Sequence, residues 1–195
     1  MKILIGTTNP GKFKEIHEVL GDTHELIMPK DIGINETPQE TGTTYKENAL
    51  IKANFYYEKS GHTTTIAEDS GIELEAFPGE LGHLTRRWGK GENATDEEWL
   101  THFLEIMQET QNKNAVFRCT TAVIHNGKTT IFVGQCHGKI LSQSQTAIPK
   151  GIPISSCFLP DGFDKVYAAL TPTEKNKISH RGRAMMQVRN FLSIL

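Results

Sequence analysis

Three cysteines, Cys119, Cys136 and Cys157, are all that the chain offers for crosslinking. An odd number, with no Cys-x-x-Cys pair and no histidine at zinc-finger spacing, argues against a disulfide framework or structural zinc and predicts reduced, buried thiols. Proline is sparse, at 8 residues, and the 17 glycines follow no period, which excludes collagen-like and low-complexity chains. No apolar run approaches the roughly 20 residues of a membrane-spanning helix, and Met1-Lys2-Ile3-Leu4-Ile5-Gly6 turns polar too soon for a signal peptide. No membrane partner is expected, and the cytoplasm is the expected compartment. Neither sign of charge dominates, with 21 Lys and Arg against 23 Asp and Glu, so nothing global draws the chain to nucleic acid. Any phosphate binding has to be local.

What remains is an ordinary globular composition, 37% hydrophobic and 23% charged, in a chain long enough to bury a core as one domain over residues 1–195. Ile3 to Ile5 form a short strand-like run, and after a polar turn Phe13, Ile16, Val19 and Leu20 recur at helical spacing. Gly42-Thr43-Thr44 opens a second helix carrying Tyr45, Ala49, Ala53 and Tyr56 on one stripe, with Asn48 and Lys52 beside it. The β-branched stretch from Thr63 to Ala67 predicts a strand ending at Glu68-Asp69-Ser70-Gly71. Ligands of open α/β sheets gather at such carboxyl ends. Phe77 to Ala94 reads as loop and Asp96 to Glu109 as helix, while Asn126-Gly127 between two β-rich segments signals a hairpin. Pro149 to Ser156 reads as a surface loop, followed by a helix start at Pro172 and an apolar stripe of Met185, Val188, Phe191 and Leu192. The order predicts an α/β fold with a mixed sheet and flanking helices.

Thr7, Thr8, Asn9, Gly11 and Lys12 fill the turn between the first strand and helix, where free backbone N–H groups and the helix dipole favour an anion. The turn lacks the Walker A pattern, and a merely capped turn remains the plain alternative. Glu40, Glu68 and Asp69 would make a hard-oxygen site of the Mg²⁺ type if they converged, and otherwise cap helices or meet solvent. Ser179, His180, Arg181 and Arg183 at the start of the last helix suit planar or phosphate recognition, or form a solvated basic turn.

Combination and order sharpen these signals. Thr8-Asn9-x-x-Lys12 is followed by Glu40-Thr41-Gly42, Glu47-Asn48-Ala49 and Lys52-Ala53, then by Glu68-Asp69-Ser70-Gly71, Arg87, Glu174-Lys175 and Ser179-His180-Arg181-Gly182. Over nearly its whole length the chain resembles the inosine triphosphate pyrophosphatases, which act on deaminated purine nucleotides. The resemblance implies an elongated fold with two lobes around a central cleft, a homodimer, and Mg²⁺-dependent hydrolysis of ITP, dITP and XTP to a monophosphate and pyrophosphate. It implies that the turn from Thr7 to Lys12 holds the triphosphate, with Asn48, Ser70 and Arg87 also at the substrate. Lys52 and Lys175 would neutralise the leaving pyrophosphate, with Lys12, Lys52 and Asp69 as the catalytic set. Glu40 and Asp69 would hold the metal, and His180 and Arg181 would face the purine.

One stretch departs from the resemblance. Where the family carries an aromatic platform and an aspartate for the base, this chain has Ile152, Pro153, Ile154 and Ser155. Chemistry retained with altered base preference is therefore one alternative, and a nucleotide-binding module without turnover is another.

Overall fold

The computed structural model describes residues 1–91 and 93–195, and of Arg87 the backbone alone. Six strands form one mixed sheet in the order β2-β1-β3-β4-β5-β6. The strands are β1 (Lys2–Ile5), β2 (Glu25–Ile27), β3 (Thr65–Leu74), β4 (Asn114–His125), β5 (Lys128–Ile140) and β6 (Phe158–Pro160). β1 runs parallel to β2 and β3, whereas the β3, β4, β5 and β6 pairings are antiparallel. The helices are α1 (Pro10–Leu20), α2 (Tyr45–Lys59), α3 (Asp96–Gln108), α4 (Pro172–Ile178) and α5 (His180–Leu192).

Local chemistry explains the boundaries. α1 begins where Asn9 accepts hydrogen bonds from the N–H groups of Gly11 and Lys12, with Pro10 at its first position. α2, α3 and α4 each start with a reciprocal capping box, Thr44 with Glu47, Thr95 with Glu98 and Thr171 with Glu174. The single helix expected from Pro172 onward is two, because Ser179 leaves the helical conformation at φ −67° and ψ 151° and its hydroxyl accepts from Gly182 N. The β4–β5 hairpin turns through Asn126 and Gly127 at φ 48° and 74°, the pair of positive angles that a tight two-residue turn requires. β2, β6 and a 3₁₀ turn at Gly82–Arg87 occupy stretches that carried no regular pattern.

The core is divided. One cluster joins Ile3, Ile5, Ile16 and Leu20 to Ile66, Cys119, Met185 and Val188, sealing α1 and α5 against the sheet. A second joins Ile72 and Leu74 to Trp99, Phe103, Ile154, Phe158 and Tyr167 under α3. On the other face of the sheet α2 rests its small Ala49 and Ala53 on Ala67 and Ala122, which lets the helix lie close to the strands. All three cysteines are buried and form no disulfide, as expected. Among the described residues no helix is long and apolar enough to cross a membrane.

Candidate active site

A cleft of about 860 Å³ opens between the two main clusters. Its position follows from strand lengths: β1 pairs with β3 only at Thr65 and Ile66, and β3 runs on to Leu74 with β4 as its one strand neighbour, the 3₁₀ turn reaching it at Ile72 through Thr85. Glu68, Asp69, Ser70 and Gly71 thus stand on an edge uncovered past the carboxyl end of β1, and all four line the cleft. The strand does not stop at these residues, as the sequence suggested; it carries them mid-strand. Pleating then sends neighbours to opposite faces, Glu68 and Ser70 toward α1 and α5, and Asp69 toward α2. Gly71 is needed for close approach, since a Cβ there would meet the carbonyl oxygen of Gly82 at 1.9 Å.

On the α1 and α5 side Glu68 pairs with Lys12 at 3.0 Å and with Arg181 at 3.2 Å, and accepts from the Cys119 thiol at 3.2 Å. Arg181 also donates to Ser70 Oγ at 3.0 Å and pairs with Glu15, which in turn pairs with Lys175. Burial alone would raise both carboxyls, but Arg181, helped by Lys175 at Glu15 and by Lys12 at Glu68, outweighs it. Glu15 falls to about 2, and Glu68 lies well below the usual carboxylate range. On the α2 side Lys52 Nζ stands 3.1 Å from both Glu40 Oε1 and Asp69 Oδ1, while Asn48 donates to Asp69 at 3.4 Å. Here burial prevails at Asp69 and raises its carboxyl, with Lys52 opposing.

The turn from Thr7 to Lys12 differs from an open anion cradle. Asn9 Oδ1 already accepts from Gly11 N at 2.9 Å and Lys12 N at 3.1 Å, and Asn9 Nδ2 donates to the Gly151 carbonyl at 3.1 Å. Thr7, Thr8, Asn9 and Lys12 line the cleft, and Gly11 does not. Asn48, expected at the substrate, is fully buried and supports Asp69 from behind. Glu40, Lys52, Lys175, His180 and Arg181 all reach the cleft. The Arg87 side chain lies outside the described residues.

The stretch from Ile152 to Ser155 also lines the cleft, but it is no surface loop. Pro153–Ser156 forms a buried 3₁₀ turn in which Ser155 Oγ donates to the Ile152 carbonyl at 2.6 Å and Ser156 Oγ to that of Pro153 at 2.8 Å. Hydroxyls that satisfy the turn's own carbonyls remove the polar cost of burial, so Ile154 can join the α3 cluster. This wall offers the cleft aliphatic surface, and its serine hydroxyls bond within the turn. The exposure expected of a surface loop does not hold at Ile154, which is buried.

Residues 3–191 match the profile of the Ham1 family. The chain belongs to the Ham1 family. It is 35% identical over 193 residues to the dITP/XTP pyrophosphatase of Christiangramia forsetii, covering 99% of this chain and 100% of that one. With the dITP/XTP pyrophosphatase of Thermoanaerobacter pseudethanolicus it shares 37% over 195 residues, covering 98% and 96%. Among solved structures it is similar to the Staphylococcus aureus Ham1 protein, at a TM-score of 0.81 and 29% identity over 99% of this chain and 98% of that one. The HAM1 protein of Coxiella burnetii gives a TM-score of 0.82 at 29% identity, with both chains covered completely.

Two site features of this Ham1 chain escaped the motif reading. Glu15 falls on the buried stripe of α1 with Ile16, Val19 and Leu20, and a carboxylate on an apolar stripe has to find cations. That placement was the available signal. Phe117 sits in an unremarkable β-rich run, and only the fold brings it to the cleft beside His180.

His180 carries a pH signature. Burial, reinforced by Arg181, pushes its imidazole down from 6.5 to about 3, so it stays neutral in the fold. Below pH 6.5 the unfolded chain takes up a proton that the folded protein refuses, and stability falls as pH drops toward 3. The contribution has a slope of about 1 kcal/mol per pH unit. Urea midpoints between pH 7.5 and pH 5 should therefore decline less steeply for His180→Asn than for the parent chain. Identical slopes would show that His180 protonates without penalty.

Proposed function

We propose that this chain is a nucleoside triphosphate pyrophosphatase that converts deaminated purine nucleotides such as ITP, dITP and XTP to the monophosphate and pyrophosphate. The observation that carries this reading is the gathering of Lys12, Lys52, Lys175 and Arg181 in one cleft with Glu40 and Asp69. Names of curated relatives, dITP/XTP pyrophosphatase, support the same activity.

Lys12 and the hydroxyls of Thr7 and Thr8 hold the phosphate chain, and Ser70 contacts it from β3. Lys52 and Lys175 neutralise the charge that grows on the departing pyrophosphate. Asp69 orients water toward the α-phosphorus and takes its proton; burial raises this carboxyl toward the range in which a base works near neutral pH. The water oxygen bonds to the α-phosphorus as the bond to the α,β-bridging oxygen breaks.

Glu40 and Asp69 fit Mg²⁺. They already hold a cation between them, the Lys52 ammonium, and Mg²⁺ usually takes one or two carboxylates with water and phosphate oxygens completing its shell. When bound, the ion would polarise phosphoryl oxygens and lower the pKa of water.

Product analysis tests the reading. With ITP and Mg²⁺ the protein should release IMP and pyrophosphate in equal amounts; stepwise orthophosphate through IDP would overturn it. The aliphatic wall at Ile152 to Ile154 favours a second reading, in which another base is preferred. A panel of triphosphates separates the two, since a lead of more than ~10-fold in kcat/KM for ITP and XTP excludes the second.

A further inference from the structure

With no ring on the wall from Ile152 to Ser155, the cleft needs another surface for a flat heterocycle. Six aromatic side chains line it: Tyr56, His83, Trp99, Phe117, Tyr167 and His180. Tyr56, Trp99, Tyr167 and His180 are each at most 5% exposed, and Phe117 and His83 are the two that are not buried. His83 packs edge-on against Tyr45 on α2.

Phe117 is placed differently. His180 stacks with it at 4.8 Å and 15°, and Tyr167 at 5.6 Å and 18°. Rings on opposite faces at a contact spacing of ~3.5 Å would hold their centres at least ~7 Å apart. Tyr167 and His180 are 6.2 Å apart and parallel within 7°, so both lie to one side of Phe117. Phe158 meets it edge-on, at 79°. The opposite face carries no ring among the described residues, and the side chain borders the cleft. Two neighbouring polar atoms, His180 Nδ1 and Arg181 Nε, are buried without a hydrogen-bond partner. The second can only donate, so it calls for an acceptor such as a ring carbonyl.

We propose that the face of Phe117 turned away from His180 and Tyr167 is the platform on which the nucleotide base stacks in this chain, making Phe117 a specificity-determining residue. The inference rests on the pyrophosphatase reading and adds to it where the base lies. A stacked base contributes the same attraction before and during reaction, so losing it acts on KM and leaves kcat.

The experiment compares Phe117→Leu, Phe117→Tyr and the parent chain on ITP and on ribose 5-triphosphate, which has no base. For Phe117→Leu, KM for ITP should rise about 10-fold with kcat within about 3-fold, as expected for removing one stack. Ribose triphosphate kinetics should not move, and Phe117→Tyr should keep the parental KM. An unchanged KM for ITP, or a parallel rise for ribose triphosphate, would overturn the proposal, the latter because the ring would then act only by packing on His180. Photolabelling of the parent chain with 8-azido-ITP gives a second readout should the leucine variant fail to fold. Label on the peptide of β4 supports the platform, and label confined to residues 151–157 overturns it. The parent's own pyrophosphate release from ITP separately judges the underlying activity.

Discussion

Asp69→Asn should lower kcat for pyrophosphate release by at least ~10²-fold, within the range that a positioned proton acceptor contributes. The exchange keeps the shape of the side chain and its place on β3, and it removes the charge that faces Lys52 at 3.1 Å. It also removes one of two carboxylates suited to a divalent ion, so two losses fall on one step. Lys52 retains Glu40 at 3.1 Å, and the fold should survive. Steady-state pyrophosphate release at saturating ITP measures the effect, with the thermal transition as control. Turnover within about 3-fold of the parent would remove Asp69 from the chemistry.

Glu15→Ala should be strongly destabilising. Its carboxylate lies between Arg181 and Lys175, with its own side chain 9% exposed and theirs 3% and 12%. Breaking a buried pair from one side strands the other charge, at a cost of about 3–5 kcal/mol. Arg181 still has Glu68 and Ser70, so the stranded charge is mainly that of Lys175. Denaturant midpoints at pH 7 read the loss directly. The sign with pH is fixed, because the folded carboxyl sits near 2 against an ordinary 4.5. The stabilisation is full above 4.5 and fades as pH falls toward 2, so parent and variant should converge in acid. A loss below about 1 kcal/mol would mean that water already screens the network.

Most of the architecture was legible because the elements that carry the cleft have strong local signals. Asn126-Gly127 announced the central hairpin, and the stripes of α1, α2 and α3 announced their helices. What was illegible depends on partners distant in the chain. β3 continues through Glu68 and Asp69 because β4 pairs with it as far as Leu74, and no residue in 65–74 records that neighbour. β2 and β6 have three residues each, too few for a period. Ile152 to Ser156 looked like loop from its proline and serines, yet its hydroxyls turn inward onto its own carbonyls. At the site, Lys12, Lys52, Asp69 and Arg181 were visible as motif residues, whereas their pairing with carboxylates, and Glu15 altogether, needed three dimensions.

The short outer strands bear on how the protein behaves when crowded. A sheet edge is a template for another chain, and its hazard grows with the length of ladder it offers. Here the outermost strands have three residues each, Glu25–Ile27 on one side and Phe158–Pro160 on the other, and Pro160 has no N–H to donate. β4 is interior, but β6 pairs with β5 only from Gly138 to Ile140, so β5 from Lys128 to His137 has no strand on its outer side; there Arg183 and Gln187 of α5 donate side-chain hydrogen bonds to the Gln135 and Val133 carbonyls. On the β5 side it is therefore the docked helix α5 that occupies ladder carbonyls a stray strand would need, and the aggregation hazard lies with chains in which α5 has not yet settled on the hairpin.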